Sequence, residues 1–190
     1  MKEVFAVLAS LLAIIGYFPY LRDTYQGRIE PHAYSWLVWA LVSGITLAGQ
    51  ILKGAGIGAL STGFACAFSS VIFFYSLRFG LKHITQTDTV FLIVALLALV
   101  PWAFTKDPTL SVIIAVGIDL AAFVPTIRKT WRSPATESSF LYIMNASRHV
   151  FALFSLEAYN IATASHSIAM VAANALMTMF IMLRNKTKGA

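Results

Sequence analysis

The chain is poor in charged residues and has a single cysteine. Charged side chains make up 12% of its 190 residues, which is about half the share found in soluble domains. The one cysteine, Cys66, excludes an internal disulfide and a metal cluster held by cysteines. The sequence also contains no HExxH or GxSxG motif and no pair of aspartates within an apolar run, and its four histidines lie on separate segments. We therefore expect neither an enzyme nor a metal or organic cofactor.

Apolar residues, in contrast, are abundant and occur in long runs. Hydrophobic residues make up 58% of the sequence, and the mean hydropathy is +0.76. A helix of about 20 apolar residues is long enough to cross the hydrocarbon of a bilayer. Seven such runs can be drawn, at about 4–21, 33–52, 57–78, 90–104, 110–127, 139–157 and 161–183. The sequence therefore predicts an all-α integral membrane protein with seven transmembrane helices, the first of them a retained span. A count of six follows if the first or the fourth run is merged or dropped.

The basic residues indicate how the helices are oriented. With seven spans and the N-terminus outside, ten basic residues fall on the inner side and three on the outer side. The inner ones are Arg22, Arg28, Arg78, Lys82, Arg128, Lys129, Arg132, Arg184, Lys186 and Lys188, and the outer ones are Lys2, Lys53 and Lys106. Because inner loops are enriched in Lys and Arg, we predict a cell (inner) membrane protein with an outer N-terminus and a cytoplasmic C-terminus. The net charge of +6 is dispersed over several loops, so we predict no nucleic-acid partner.

One segment of the chain occurs twice. Residues 18–25 recur as residues 124–131 with identical Pro, Arg and Thr, at an offset of 106 residues (125 − 19 = 106), and the same offset joins Arg78 to Arg184. This offset is too long for a solenoid period and indicates a duplicated unit of three spans. Because three is odd, a connecting span is needed for both units to keep one orientation as two parallel three-helix bundles. The predicted units are a first repeat, a connecting helix and a second repeat, at 1–80, 81–108 and 109–190.

This pattern resembles the SWEET/PQ-loop superfamily of small-solute transporters, over essentially the whole chain. The prolines of the Pro-Gln motif in that family match Pro19 and Pro125, and its glutamines are replaced here by Tyr20 and Thr126. The resemblance implies alternating access, with the substrate between the two bundles and the prolines as hinges. A proline inside a helix removes a hydrogen bond and favours a kink. The alternative is that prolines near span ends only terminate the helices.

The resemblance also implies substrate-binding residues. Members of the superfamily carry a tryptophan or asparagine on the second helix of each repeat and an asparagine on the third. Trp39 and Asn145 match the second-helix positions at the offset of 106, and Asn174 matches the third-helix position of the second repeat. The counterpart of Asn174 in the first repeat is Phe68. Trp39, Asn145 and Asn174 are therefore expected to bind the solute.

Ionisable residues near the middle of the apolar runs form a second set of candidates. Asp119 lies mid-way along the fifth run, and Arg148 and His149 lie mid-way along the sixth, on one helical face with Asn145. A charge at the bilayer centre costs at least about 2.5 kcal/mol, so Asp119 and Arg148 should face inward and meet. They either bind a polar solute, with Asp119 exchanging a proton, or form a buried pair that fixes helix packing. In the second case His149 is a hydrogen-bonded core histidine.

These features favour a transporter of a small polar solute, a sugar or similar metabolite, with the lipid bilayer and a proton as further partners. Whether the chain acts alone or as a homo-oligomer is left open. A sorting receptor of the KDEL-receptor type is similar in fold, and Asp119, Arg148 and Glu157 would then hold a carboxylate. A carrier of the nicotinamide riboside type is a further alternative, because Glu30 and Trp36-Leu37-Val38-Trp39 are similar to its acidic residue and Trp-x-x-Trp motif.

Overall fold

The computed structural model describes residues 1–79, 84–104 and 107–188, and over these residues the chain is helical, with no strand. The helices are α1 (Lys2–Tyr25), α2 (Ala33–Leu52), α3 (Leu60–Phe79), α4 (Gln86–Phe104), α5 (Pro108–Arg132), α6 (Ser139–Ser155) and α7 (Ile161–Lys188). Short 3₁₀ turns precede α3 and α6, at Gly56–Ala59 and Pro134–Thr136. Each of the seven predicted runs is thus a helix. Lys82 and Lys106, two of the residues that predict the orientation, lie outside the described residues.

Five of these helices are long and apolar enough to cross a membrane, counted over the part of the chain that the structure describes: α1, α2, α3, α5 and α7. Helix α6 is shorter, with 17 residues, and carries the buried Arg148 and His149. Large apolar side chains cover the outside of the molecule; Val7, Phe74 and Leu176 are each more than half exposed. An apolar outer surface on long helices indicates a membrane protein.

Several helix boundaries follow from turn and capping residues. Asp107 accepts a hydrogen bond from the backbone N–H of Thr109 at 2.8 Å, and Pro108 is the first residue of α5. A proline is well suited to that position because it has no N–H to leave unpaired. Gly27 and Gly54, which follow α1 and α2, have φ angles of 72° and 75°, a conformation that other residues rarely adopt. These residues place the connections where the sequence predicts them.

Pro19 and Pro125 lie inside α1 and α5 and do not end them. Helix α1 continues to Tyr25 and α5 continues to Arg132, more than one helical turn past each proline. The alternative that these prolines only terminate their helices is therefore wrong. The role of the prolines as hinges stays a prediction.

The two halves of the chain pack in a matched way. Helix α3 contacts α1 and α2, and α7 contacts α5 and α6. Across the middle, α1 packs against α6 and α2 packs against α5, while α4 lies against α5 and α2. Helices α1 and α5 begin 106 residues apart, at Lys2 and Pro108, and so do α2 and α6, at Ala33 and Ser139. The starts of these four helices therefore follow the same offset as the sequence repeat, whereas α3 and α7 begin 101 residues apart, at Leu60 and Ile161 (161 − 60 = 101).

Small residues allow α1 and α6 to approach each other closely. Ala9 and Ala13 of α1 are fully buried, and a Cβ added to Gly16 would lie 2.7 Å from Cβ of Met144 on α6. Such small residues are typical of helices that pack within a membrane. The central helices α1, α2, α5 and α6 are thereby held around a common core.

Candidate functional site

A cavity lies at mid-length of the helices, between residues of the first and the second repeat. Its walls include side chains from α1, α2, α3, α5, α6 and α7. All six residues predicted to bind the substrate line this cavity: Trp39, Asp119, Asn145, Arg148, His149 and Asn174. Each of the six is buried. The structure thus brings together residues that come from four different helices.

The cavity is small. Its volume is about 40 Å³, which is room for about two or three water molecules. Pockets that hold a drug-sized ligand have volumes of about 300 Å³ or more. The cavity is therefore too small to hold a solute of sugar size in this conformation.

Asp119, in the middle of α5, pairs with a histidine that the sequence analysis does not single out. Its Oδ2 lies 2.8 Å from Nε2 of His166 on α7. The backbone carbonyl of Asp119 accepts a hydrogen bond from Nε1 of Trp39 at 3.3 Å. The expected pairing of Asp119 with Arg148 is wrong: both line the cavity, but His166 is the nearer partner of the carboxylate. Helix α7, not α6, presents the basic group that reaches it.

Arg148 lies on the same face of α6 as Asn145 and His149, as their spacing predicts. Its Nε donates a hydrogen bond to Oδ1 of Asn145 at 2.7 Å. Its Nη1 donates to the backbone carbonyl of Ser61, at the start of α3, at 3.4 Å. Both acceptors are uncharged, so these bonds position the guanidinium without neutralising it.

His149 is a buried histidine that contacts a hydroxyl group and also lines the cavity. It is 1% exposed, and its Nδ1 lies 3.3 Å from the hydroxyl of Ser167, as expected for a hydrogen-bonded core histidine. It also lines the cavity, and its ring centroid lies 5.3 Å from that of His166. The two histidines and Asp119 therefore form one row of titratable groups.

Asn174 occupies the cavity wall formed by α7. Its Nδ2 donates to the backbone carbonyl of Met170 at 2.8 Å, which orients the amide. Phe68, its counterpart in the first repeat, instead stacks on Tyr17 with ring centroids 5.4 Å apart. The neighbouring Ser69 lines the cavity. The two repeats thus do not supply matching amides to the site.

Aromatic rings also line the cavity. Trp36 and Trp39 meet edge to face, with centroids 5.1 Å apart, and Trp39 lies 4.9 Å from Phe123. Tyr17 of α1 lies 6.1 Å from Trp36. All four rings line the cavity. A rigid aromatic wall facing polar groups can hold a solute that has an apolar part and a polar part.

The residues that follow the two prolines join the first repeat to the second. The hydroxyl of Tyr20, after Pro19, donates to Oε1 of Glu137 at 2.8 Å. The hydroxyl of Thr126, after Pro125, donates to the hydroxyl of Ser35 at 2.9 Å. These are the positions where the Pro-Gln motif would place its glutamines. Each one therefore contributes a bond across the interface at the end of the helices where α1 and α5 finish.

A buried lysine, Lys129, joins the two halves of the chain at the same end of the molecule. Nζ of Lys129 lies 2.6 Å from Oε2 of Glu137 and donates to the backbone carbonyls of Glu30 and Thr136 at 2.8 and 3.1 Å. The side chains of Lys129 and Glu137 are 0% exposed. Glu30 and Thr136 are matched positions, because they lie 106 residues apart (136 − 30 = 106). One ammonium group thus binds the corresponding loops of both repeats.

Asp88, near the start of α4, connects that helix to both repeats. Its carboxylate pairs with Arg128 of α5 and lies 3.3 Å from Nε2 of His32, which precedes α2. Burial lowers the pKa of His32 to about 4, although the nearby carboxylate acts in the opposite direction. His32 is therefore neutral at physiological pH. The cation that pairs with Asp88 is then Arg128.

Two contacts of the structure, Asp119–His166 and Lys129–Glu137, are not predicted from the sequence, for different reasons. His166 is an ionisable residue within the seventh apolar run, but it lies only five residues from the start of that run (166 − 161 = 5), whereas the candidates come from the middle of the runs. The Lys129–Glu137 pair has no comparable signal, because Lys129 belongs to a segment that reads as a basic inner loop. Its burial depends on how two loops meet in space.

Glu157 and Glu30, which the two alternative functions would also use, do not line the cavity. Glu157 packs beside Gly56 at the other end of α6, and its backbone carbonyl accepts a hydrogen bond from Nζ of Lys2. Glu30 lies in the loop that contacts Lys129. Within the described residues, no three His, Cys, Asp or Glu side chains are grouped to hold a metal ion.

No protein-family model, no curated protein and no solved structure matches the chain.

Proposed function

We propose that the chain is a membrane transporter that carries a small polar solute by alternating access. The observation that carries this proposal is the cavity, which takes polar side chains from both repeats at mid-length of long apolar helices. Ionisable groups at that depth are costly and mark solute or ion pathways in membrane proteins.

The proposed architecture is two parallel three-helix bundles, α1–α3 and α5–α7, joined by α4. It is supported by the matched contacts of the helices and by the shared offset of 106 residues in the starts of the first two helices of each bundle. Parallel repeats with a substrate site between them occur in several transporter folds. Helix α4 packs outside, against α5 and α2, and none of its described residues lines the cavity.

In the proposed cycle, the contacts at Lys129, Tyr20 and Thr126 close the inner side of the cavity. These contacts join the two bundles, so they must break before the inner side opens. Pro19 and Pro125 each immediately precede one of the bridging residues. A helix that lacks one hydrogen bond bends more easily at that point, which supports their proposed role as hinges.

We propose that the protein lies in the inner membrane of a cell, with its N-terminus outside and its C-terminus in the cytoplasm. The distribution of basic residues supports it. In a Cys66→Ser background, a cysteine at Lys53 should react with a membrane-impermeant thiol reagent added outside. A cysteine at Lys186 should react only after the membrane is permeabilised. Reaction of the second cysteine in intact cells would contradict the orientation.

Uptake into proteoliposomes tests the transport proposal. The full-length protein is reconstituted with and without a pH gradient, and radiolabelled sugars, nucleosides and carboxylates are offered. We expect uptake of at least one class above that of empty liposomes, and loss of this uptake in Trp39→Ala. Leu41→Ala, at an exposed position of the same helix, is the matched control and should transport normally. Solute binding without uptake of any class would favour the receptor alternative.

A further inference from the structure

Arg148 is a buried cation whose hydrogen bonds go to neutral groups. It donates to Asn145 and to the Ser61 carbonyl and interacts with the Tyr17 side chain, whereas a guanidinium has five N–H donors in a fork that fits a carboxylate. No carboxylate of the described residues forms an ion pair with it, and it lines the cavity. Asp119 attracts the guanidinium electrostatically, but the direct contact of its carboxylate is with His166. A carboxylate bound in the cavity could therefore accept hydrogen bonds from the remaining donors of Arg148.

Asp119 balances the charge of Arg148, but its carboxylate contacts His166 and leaves the guanidinium donors available. The two side chains are 5% and 3% exposed, with Oδ2 and Nε2 2.8 Å apart. Nδ1 of His166 is buried and has no hydrogen-bond partner among the described residues. A neutral imidazole carries a proton on only one of its two nitrogens. The pair therefore has the capacity to take up one more proton beside the cavity.

We propose that the cavity binds a small monocarboxylate together with a proton, the carboxylate on Arg148 and the proton on the Asp119–His166 pair. This inference rests on the proposed transport function and names its solute class. With His166 neutral, the charges of Arg148 and Asp119 cancel. A bound monocarboxylate adds one negative charge, and a proton on His166 restores neutrality, so the buried site never carries a net charge. The aromatic wall formed by Trp36 and Trp39 receives the apolar part of the solute.

The other groups that face the pair do not replace this charge balance. From α6, His149 lies nearest, but its Nδ1 contacts the hydroxyl of Ser167 at 3.3 Å. Tyr17 and Tyr142 contribute phenol groups, and the lining residues of α2 and α3 are tryptophans and serines, which do not titrate. His149 is therefore the one competing proton site among the described lining residues, and it must be tested.

Tryptophan fluorescence of the full-length protein in lipid nanodiscs tests the carboxylate, because Trp36 and Trp39 line the cavity. The probes are acetate, lactate and benzoate, each paired with its neutral amide. We expect at least one carboxylate to bind saturably, with its amide at least about tenfold weaker, as for loss of a charged hydrogen bond. Arg148→Gln should lose at least about tenfold in carboxylate affinity. Equal affinity for acid and amide, or no saturable response to any carboxylate, overturns the proposal.

The comparison of acid with amide uses the unmodified protein, so it tests carboxylate binding even where Arg148→Gln does not fold.

Calorimetric titration in two buffers of different ionisation enthalpy tests whether a proton is taken up on binding. We expect uptake of about one proton per bound carboxylate, retained in His149→Gln and lost in His166→Gln. No proton uptake by the unmodified protein, or undiminished uptake by His166→Gln, overturns the assignment of the proton.

Uptake measurements separate this inference from the proposed function on which it rests. If the protein transports a neutral sugar and binds no carboxylate, the transport function stands and the carboxylate proposal is wrong. If carboxylates bind in an Arg148-dependent way and none enters proteoliposomes, the binding site stands and the transport function is wrong.

Discussion

The two repeats share a helix pattern but contribute different chemistry to the cavity. The lining residues of α1 and α2 are mostly aromatic, namely Tyr17, Trp36 and Trp39, with Ser43. The second repeat contributes the ionisable groups, namely Asp119, Arg148, His149 and His166. At the offset of 106, the counterparts of those four residues are Ala13, Val42, Ser43 and Leu60. The two halves of the chain thus have matched helix starts in α1 and α5 and in α2 and α6, but only the second half has the ionisable residues.

This difference has a physical reason. Each buried ionisable group carries a desolvation cost, and a second set at the matched positions would double that cost. Apolar counterparts also allow close packing, as in α1, where Ala13 is fully buried. The first half of the chain can therefore line the cavity mostly with aromatic rings, while the second half supplies its ionisable groups.

The largest effect should come from removing Lys129. Lys129→Met leaves the buried Glu137 without its cation, which costs about 3–5 kcal/mol in the free energy of unfolding. The matched residue of the first repeat, Asp23, forms partly exposed pairs with Arg22 and Arg28. Asp23→Asn should therefore cost only about 0–1 kcal/mol. Thermal and denaturant unfolding of the purified protein measures both.

A double variant is the control for this comparison. Lys129→Met with Glu137→Met removes both charges and should recover most of the stability, because no charge is left buried alone. Equal losses in the two single variants of Lys129 and Asp23 would show that these two matched positions contribute equally to stability.

The next effect concerns the contact of α1 with α6. Gly16→Ala introduces the residue that the second repeat already has at the matched position, Ala122. The new Cβ would lie 2.7 Å from Cβ of Met144, so we expect a loss of about 1–3 kcal/mol from overpacking. Gly117→Ala, where the new Cβ meets nothing within 4 Å, should instead stabilise the helix by about 0.5–1 kcal/mol. Unfolding measurements in one detergent compare the two variants.

A smaller effect should link Asp119 to His166. The losses of stability in Asp119→Asn and His166→Gln should be non-additive by at least about 0.5 kcal/mol, because the two side chains contact each other directly. The same measurement on Asp119→Asn with Arg148→Gln is the comparison, and the non-additivity of that pair should be smaller. A stronger coupling to Arg148 than to His166 would restore the pairing that the sequence suggests.

The smallest effect on stability is expected from the prolines. Pro19→Ala and Pro125→Ala should both fold with nearly unchanged unfolding temperatures, and both should slow solute exchange in proteoliposomes. A normal rate in both variants would remove the hinge role. A slow rate in only one would show that the repeats differ in motion as well as in chemistry.

The helices and the residues of the cavity could be predicted because the membrane leaves few alternatives. Long apolar runs must form helices there, and a polar group at mid-depth must face inward. The partner of Asp119 could not be predicted, because it depends on the rotation of α6 and α7 about their axes, which hydropathy does not define. The burial of Lys129 depends on the meeting of two loops, and no local pattern encodes that.

Lys129 also limits how the two repeats could be exchanged for one another. Its ammonium group lies 2.8 and 3.1 Å from the carbonyls of Glu30 and Thr136, so it is nearly equidistant from two matched atoms. A single cation fits between them, since the matched side chain, Asp23, turns away to Arg28. An assembly of two second repeats would bring two ammonium groups to one place and repel itself. The Lys129 bridge is therefore asymmetric: the second half of the chain supplies the cation, and each half supplies one carbonyl oxygen.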